Sequence, residues 1–499
     1  MPSCGERARS CIDRELLREL PNAWRVAYFF FGIAYMLILG TSLMINPVTI
    51  STFLDSVGVD QQPLAQTYLP LVLLPVLFIY NFLWAALQSP QGLVLVATRS
   101  FRRPVCGVYT VLYVLIAVQS WEHEHLPNRW AWTLFYATNT KSVLFPVMLW
   151  SVMNDLSSTK YSKIAYPALV TAGQVGGLAG SLLATEVCKV GGTSGLLVMQ
   201  AVALVVIGGL VWIACVLASR APATEDAPAE GSAREALTSM QPVAEQALRL
   251  EGAGEASVVP ARPNGCVRGM RAVVQKLWEA VEGIILILTK PYVAGIFWVA
   301  CAHLVPRVLL DYQGTSLTNE RWPKSVPGNK DKQTSFFAWC NVANTVGTGL
   351  LSLCGLRSLV ERGGLSLTLV ILPFAMLGSV LLVCFHHEFW TVQAVLVLVN
   401  VVQYALNGPS REMLYVRTSK DIKYKAKSWS DMYGNFLQKF IAAQINLHIN
   451  REQDACQPHC FNGLFTGVFT TVWVAVWAVI AGCLGRRHAQ LVEKNEFIQ

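Results

Sequence analysis

Twelve predominantly apolar stretches recur along the chain, at roughly 24–47, 67–88, 104–121, 130–154, 164–187, 193–218, 289–312, 334–356, 365–385, 389–408, 428–448 and 463–484. About 20 residues of helix cross the hydrocarbon core of a bilayer, so each run predicts a membrane-spanning helix. Polar residues interrupt the fourth and eleventh runs, as expected where a helix lines a water-filled path rather than lipid. Residues 219–275 break the pattern: Ala, Pro, Glu, Gly and Ser dominate and no apolar period persists, which reads as a flexible linker. The stretch Arg271–Glu282 that follows suits an amphipathic helix lying on the membrane surface.

Composition narrows the class. At 499 residues, 53% hydrophobic and 14% charged, the chain is too apolar for a soluble enzyme of this size. The expectation is an all-α polytopic membrane protein with twelve transmembrane helices in two six-helix bundles. Its parts are an N-terminal segment 1–23, a bundle 24–218, the linker 219–275, a second bundle with its leading amphipathic helix 276–485, and a C-terminal segment 486–499. Six spans on each side of a hydrophilic loop is the layout of the major facilitator architecture, with one central cavity. The first 23 residues are charged and lack a signal peptide's apolar core, so the first span itself directs insertion.

Charge sets the orientation. One side receives Arg7, Arg9, Arg14, Arg18, Arg99, Arg102, Arg103, Lys160, Lys163, Arg357, Arg362, the basic cluster 411–427, Arg486 and Arg487. The other holds Lys189, Arg451 and four cations in the 313–333 loop. Positive charge stays inside, so both termini are expected in the cytoplasm. No Arg- and Ser-rich amphipathic presequence precedes the first span, which points to a plasma or bacterial inner membrane rather than an organelle. A monomer is the default expectation, because the two-bundle layout works as one.

Chemistry concentrates at a few positions. Lys420, Lys423, Lys425 and Lys427, with Arg411 and Arg417, put six cations within seventeen residues between two spans. Such a run reads either as a loop on anionic lipid or as the cationic mouth of an aqueous cavity. His303, Arg307 and Asp311 fall four apart and share one side of a helix that Pro306 should loosen. Arg307 and Asp311 are either a neutralising pair or a guanidinium fork for phosphate oxygens governed by its neighbour. Tyr136, Asn139 and Lys141 interrupt the fourth span, and Lys141 lies too deep to snorkel easily, which nominates it as a cavity cation. Asp431, Asn435, Gln438, Lys439 and Gln444 stripe the eleventh span, while Asn341, Asn344, Asn400, Gln403 and Asn407 extend a polar lining or bond helix to helix. Cations outnumber deep carboxylates, so the expected partners are a small anionic solute and the lipid bilayer, with no nucleic acid.

Other motifs read structurally. Gly173, Gly176, Gly177 and Gly180 are spaced for close helix packing, with a phosphate-cradling loop as the alternative. Most of the thirteen cysteines sit in or near apolar runs. Cys456 and Cys460 share the 449–462 loop and can pair if that compartment is oxidising. With His459 beside them they make three ligands in one short loop, a weak signal for a metal, and the run Glu122–His125 reads as a solvated loop before Pro127 with metal binding as the minor alternative; no cofactor motif is present. No nucleophile, base and orienting group occur together, which argues against an enzyme.

Glu412-Met413-Leu414-Tyr415-Val416-Arg417, followed by Lys423-Tyr424-Lys425-Ala426-Lys427 and Asp431, resembles the segment after the tenth helix of the ATP/ADP translocase family of intracellular bacteria and plastids. Phe135-Tyr136, Trp150 to Asp155, Ala165-Tyr166-Pro167 and Leu310-Asp311-Tyr312-Gln313 echo that family's fourth, fifth and seventh helices. The resemblance implies a nucleotide exchanger with a major-facilitator-like fold. It departs in the first helix, where Thr41 to Pro47 carries no charge, and after Phe135-Tyr136, where Ala137-Thr138-Asn139 replaces the family's glutamate. A retained fold with an altered substrate follows from those departures. The expected function is a secondary-active transporter for an anionic, nucleotide-like solute, with substrate-binding residues Tyr136, Asn139, Lys141, Arg307, Asp311, Lys423, Lys425, Lys427, Asp431 and Lys439. The alternatives are a permease for another organic anion or vitamin, proton-coupled through Asp311 or His303, and a scaffold or sensor that does not transport.

Overall fold

The computed structural model describes residues 22–87, 105–123, 125–156, 159–219, 284–354, 356–415, 434–450 and 463–494, with isolated positions at 418, 419, 422, 426, 430, 496 and 498. The linker beyond residue 219, the amphipathic stretch 271–282, Lys423, Lys425, Lys427, Asp431 and the loop cysteines 456 and 460 lie outside the described residues.

The described chain is almost wholly helical. The N-terminal half comprises α1 (Asn22–Ser56), α2 (Gln62–Leu87), α3 (Gly107–Glu122), α4 (Asn128–Leu156) and a helical stretch Thr159–Ser219. Gly192, at φ 60°, bends that stretch into α5 (159–191) and α6 (Gly192–Ala218). A Cβ on Gly195 would meet Val187 at 3.6 Å, whereas eight residues of straight helix advance about 12 Å, so the chain folds back there. The C-terminal half comprises α7 (Pro291–Arg321), α8 (Asn329–Cys354), α9 (Leu356–Phe385), α10 (Phe389–Val402, continuing to Leu414), α11 (Asn435–Ile445, continuing to Asn450) and α12 (Gly463–Glu493). Among the described residues, six helices are both long and apolar enough to span a bilayer: α1, α6, α7, α9, α10 and α12. The protein is an integral membrane protein, and several of the more polar helices surround its centre.

Packing repeats with an offset of six helices. α1 lies on α4 and α5, and α7 on α10 and α11; α3 pairs with α6, and α9 with α12. Two large apolar cores result, one drawn almost entirely from residues 24–218 and the other from residues 292–491. The outward surface is apolar as well. Val468, Val472, Val476 and Val479 form an exposed stripe along α12, and Val108, Val111, Leu115 and Val118 one along α3, as lipid-facing helices require.

The glycines of α5 serve packing. A Cβ on Gly180 would overlap Gly40 O and stand 2.7 Å from Gly40 Cα, and one on Gly176 would overlap Met36 O, so α1 and α5 meet backbone to backbone.

Prolines within helices follow one rule. A proline at position i cannot donate to the carbonyl of i−4, which then needs another partner. In α7 Pro306 releases Ala302 O, which accepts the Trp473 indole N–H from α12 at 2.9 Å, and the helix is broken at Ala302–His303. In α1 Pro47 releases Leu43 O, which accepts from Asn341 Nδ2 of α8 at 3.4 Å.

Candidate functional site

A cavity of about 560 Å³ lies between the two halves, lined by α1, α2 and α4 on one side and α7, α8, α10 and α11 on the other. α10 lines it from Gln393 to Arg411, an axial length of about 27 Å at 1.5 Å per residue. Over Gln403–Asn407 that helix widens into a turn with one extra residue, a local unwinding common at functional sites. Tyr404 projects into the cavity from this turn.

The cavity's cations come from the C-terminal half. Arg307, midway along α7, places Nε 3.6 Å from Asp311 Oδ2 and Nη1 3.5 Å from the Tyr404 hydroxyl, with its guanidinium carbon 5.9 Å from the Tyr404 ring. These are loose contacts, so the guanidinium fork can turn to an anion without leaving a tight pair. Lys439 of α11 and Arg411 at the end of α10 line the same cavity. Among the described residues, three cations and one carboxylate therefore face the space. All of them are from this half; the N-terminal half contributes Asn46, Thr49, Gln62, Gln66 and Asn139 as its polar groups.

One end of the cavity is sealed. Ser51 bonds Thr334, Thr193 donates to Asp331 at 2.8 Å, Gln444 donates to Thr67 at 2.9 Å, and Lys330 Nζ lies 3.9 Å from Asp55. Each contact joins one half to the other, at the C-terminal end of α1 and the N-terminal ends of α2, α6 and α8. That face is opposite the one where α1 begins. His125 of the α3–α4 connection also holds Asp55, at 3.1 Å. Asp55→Asn is expected to loosen this seal and to raise labelling of the cavity cysteine Cys340 from the sealed side by about fivefold, the effect of one ion pair worth about 1 kcal/mol. Labelling with a membrane-impermeant maleimide, read at Cys340 by mass spectrometry, checks it; an unchanged rate assigns the seal to the hydrogen bonds at Ser51, Thr193 and Gln444.

The structure brings some of the predicted site residues together and separates others. His303, Arg307 and Asp311 all line the cavity, as do Asn139, Lys439, Asn341, Asn344, Asn400 and Gln403. Asn407 is instead buried in a bond to Gln403 at 3.0 Å, and Tyr136 packs on Trp132 and Phe135 beside the lining. Lys141 is a correction. It is fully buried within the N-terminal half, away from the cavity. Its Nζ donates to Thr41 Oγ1 at 2.9 Å and to the Gln200 amide oxygen at 3.1 Å, while the Gln200 nitrogen reaches Thr41 O at 3.0 Å. The reason is rotational: Asn139 faces the cavity, and a residue two further on points about 200° away around the helix. Because its partners are neutral, Lys141→Met is expected to leave anion binding unchanged and the melting temperature equal or higher. Ligand-induced thermal stabilisation of the variant checks this; loss of binding would return Lys141 to the site.

Sequence reasoning missed Asn46, Gln62, Gln66 and Tyr404. Asn46 before Pro47 in an apolar run was the one available signal; Gln62 and Gln66 precede the second run, where polar residues read as loop. Among the described residues no group of three or more His, Cys, Asp or Glu could hold a metal ion.

No protein-family model and no curated protein matches the chain. Its fold matches solved transporter structures at 11% identity. A bacterial homolog of the human lysosomal transporter Spinster, in an inward-facing and unoccupied conformation, has a TM-score of 0.55 over 94% of this chain and 98% of that one. An auto-inhibited POT family peptide transporter has a TM-score of 0.55 over 92% and 96%. A point mutant of the nucleoside transporter NupG aligns over 92% and 99% with a TM-score of 0.49. Two six-helix bundles around a central cavity give the chain a major-facilitator-like fold.

Proposed function

We propose that the protein is a secondary-active transporter for an anionic solute, carried by rocking of the two halves about the central cavity. One observation supports this most: Arg307, Lys439 and Arg411 face a single carboxylate among the described residues, Asp311, in a cavity sealed at one end by contacts between the halves. A positive cavity with low-dielectric walls concentrates anions, and a seal made of a few hydrogen bonds can be exchanged for one at the other end. With both termini cytoplasmic, the sealed face is the outward one. The resemblance at 412–431 favours a nucleotide or nucleotide-like solute exchanged for another. The uncharged lining supplied by α1 favours a solute of lower charge than a triphosphate, so another organic anion is the second reading.

The test is thermal stabilisation of the purified protein by nucleotides, sugar phosphates, inorganic phosphate and carboxylate anions, since a ligand that binds only the folded state raises the melting temperature with concentration. Stabilisation by nucleotides, competitive with exchange in proteoliposomes, is the expected result. Stabilisation by carboxylates alone would move the substrate to the second reading. No stabilisation by any anion would remove the transport function proposed for this cavity.

A further inference from the structure

The two halves offer the solute different chemistry, and they offer it at different depths. Arg307 and Lys439 stand near the middle of the cavity and Arg411 at the end away from the seal. Part of the neutral lining of the N-terminal half, the start of α2 and the α1 residues around Ile50, lies beside the seal, while Asn46 and Asn139 lie deeper. Ile50 lines the cavity while the next residue, Ser51, bonds Thr334; Gln66 lines it while Thr67 bonds Gln444. Gln62, one turn before Gln66, completes this set.

Several amides in the lining are acceptors without a donor. The side-chain oxygens of Gln62, Asn344 and Asn400 are buried and have no hydrogen-bond partner among the described residues. Gln62 and Asn400 are 7% and 8% exposed, so water does not solvate them freely. A buried acceptor left unmatched costs free energy, and a solute N–H or O–H that reaches it recovers that cost. The cations ask for an anion; these oxygens ask for donors on an uncharged part of the same molecule.

Resting on the anion-transporter reading above, we propose that the solute is bipolar. Its anionic head is held by Arg307 and Lys439 of the C-terminal half, and a neutral body carrying N–H or O–H donors reaches Gln62, with Asn344 and Asn400 along the way. The consequence is a separation of binding from carriage. A ligand shifts a conformational equilibrium only by the difference in its affinity for the two states. An anion too small to touch the N-terminal half interacts with one rigid body alone and gains little from the halves closing on it. A bridging solute touches both, next to the bonds that must break for the seal to open. Simple anions should therefore occupy the site and compete, yet not be carried.

The experiment uses the full chain in proteoliposomes and in detergent, with three probes: inorganic phosphate, ribose 5-phosphate and adenosine 5′-monophosphate. Phosphate is expected to stabilise the protein and inhibit competitively without being exchanged, while at least one of the two esters is exchanged. Gln62→Leu is expected to weaken the exchanged ester roughly tenfold, as for one unsatisfied buried partner, and to leave phosphate inhibition unchanged. Gln66→Leu, less buried, replaces it if the first variant does not fold. Phosphate carried as fast as the ester, or ester affinity unaltered in both variants, would overturn the bipolar solute while leaving the anion site intact. Arg307→Gln separates the two claims: it should weaken phosphate and ester alike, and no effect on either would sink the anion site itself, as would failure of all three probes to bind.

Discussion

Arg307→Gln is expected to lower the affinity for an anionic solute on the order of a hundredfold, with the folded protein retained. Truncating one partner of a desolvated, charge-assisted contact typically costs about 2–5 kcal/mol. Arg307 stands at the midpoint of α7 and faces the cavity with its side chain 23% exposed. Its contacts within the protein are long, 3.6 Å to Asp311 and 3.5 Å to Tyr404, so glutamine removes little that holds the helices together. The melting temperature without ligand should therefore stay close to that of the parent protein. Arg307→Lys refines the test. It keeps the charge and loses the planar fork, so a bidentate contact to phosphate or carboxylate predicts a partial loss of roughly tenfold. If glutamine and lysine behave alike, the fork rather than the charge carries recognition. If neither changes affinity, Arg307 is only the partner of Asp311.

Gly180→Val is expected to have the largest effect on folding. No rotamer can relieve it, because even the Cβ would overlap the Gly40 carbonyl oxygen and stand 2.7 Å from Gly40 Cα. The helices α1 and α5 would have to separate, and overpacking of this kind costs about 1–3 kcal/mol even where side chains can adjust. Here the obstacle is backbone, so the loss should reach the upper end or beyond it. Gly176→Val should behave likewise, its Cβ overlapping Met36 O and standing 2.6 Å from the Met36 carbonyl carbon. Gly209 on α6 supplies the control, since nothing lies within 4 Å of its Cβ position. Size-exclusion chromatography and melting of the three variants in detergent should show two collapsed or strongly destabilised proteins and one that resembles the parent. Normal behaviour of Gly180→Val would mean that α1 and α5 do not approach this closely.

Much of the framework was legible because membrane spans are encoded locally. The runs 24–47 and 389–408 anticipated α1 and α10, although both helices continue further, to Ser56 and Leu414. Those extensions are polar or contain proline, and hydropathy ends a span where apolar character ends rather than where the helix does. Asn341 of α8 gives Leu43 O, released by Pro47, a partner outside α1. The glycine spacing 173, 176, 177, 180 and the triad 303, 307, 311 were readable for the same reason. Residues three and four apart share a helix face whatever the helix packs against.

Depth, by contrast, does not give direction. Lys141 is deep, as its place in the fourth span implied, yet it turns into the N-terminal half while Asn139 turns to the cavity. The helical angle between them was available from the sequence; which of the two directions held water was not. The same limit hid Gln62 and Gln66, whose position ahead of an apolar run has no meaning until α2 is set against α11.

The sequence by itself therefore determined the membrane class, the helical spans, the small-residue face of α5 and the cationic face of α7, because each depends on residues within a turn or two of one another; that α1 is the helix packed on the α5 glycines was decided by the tertiary structure. Only the tertiary structure decided which end of the cavity is closed and which neutral groups complete its lining. Ser51 and Thr334 are 283 positions apart, and Gln444 and Thr67 are separated by 377. Contacts at that separation exist only once two independently packed cores have been set face to face, and no local pattern in the chain records the angle at which they meet.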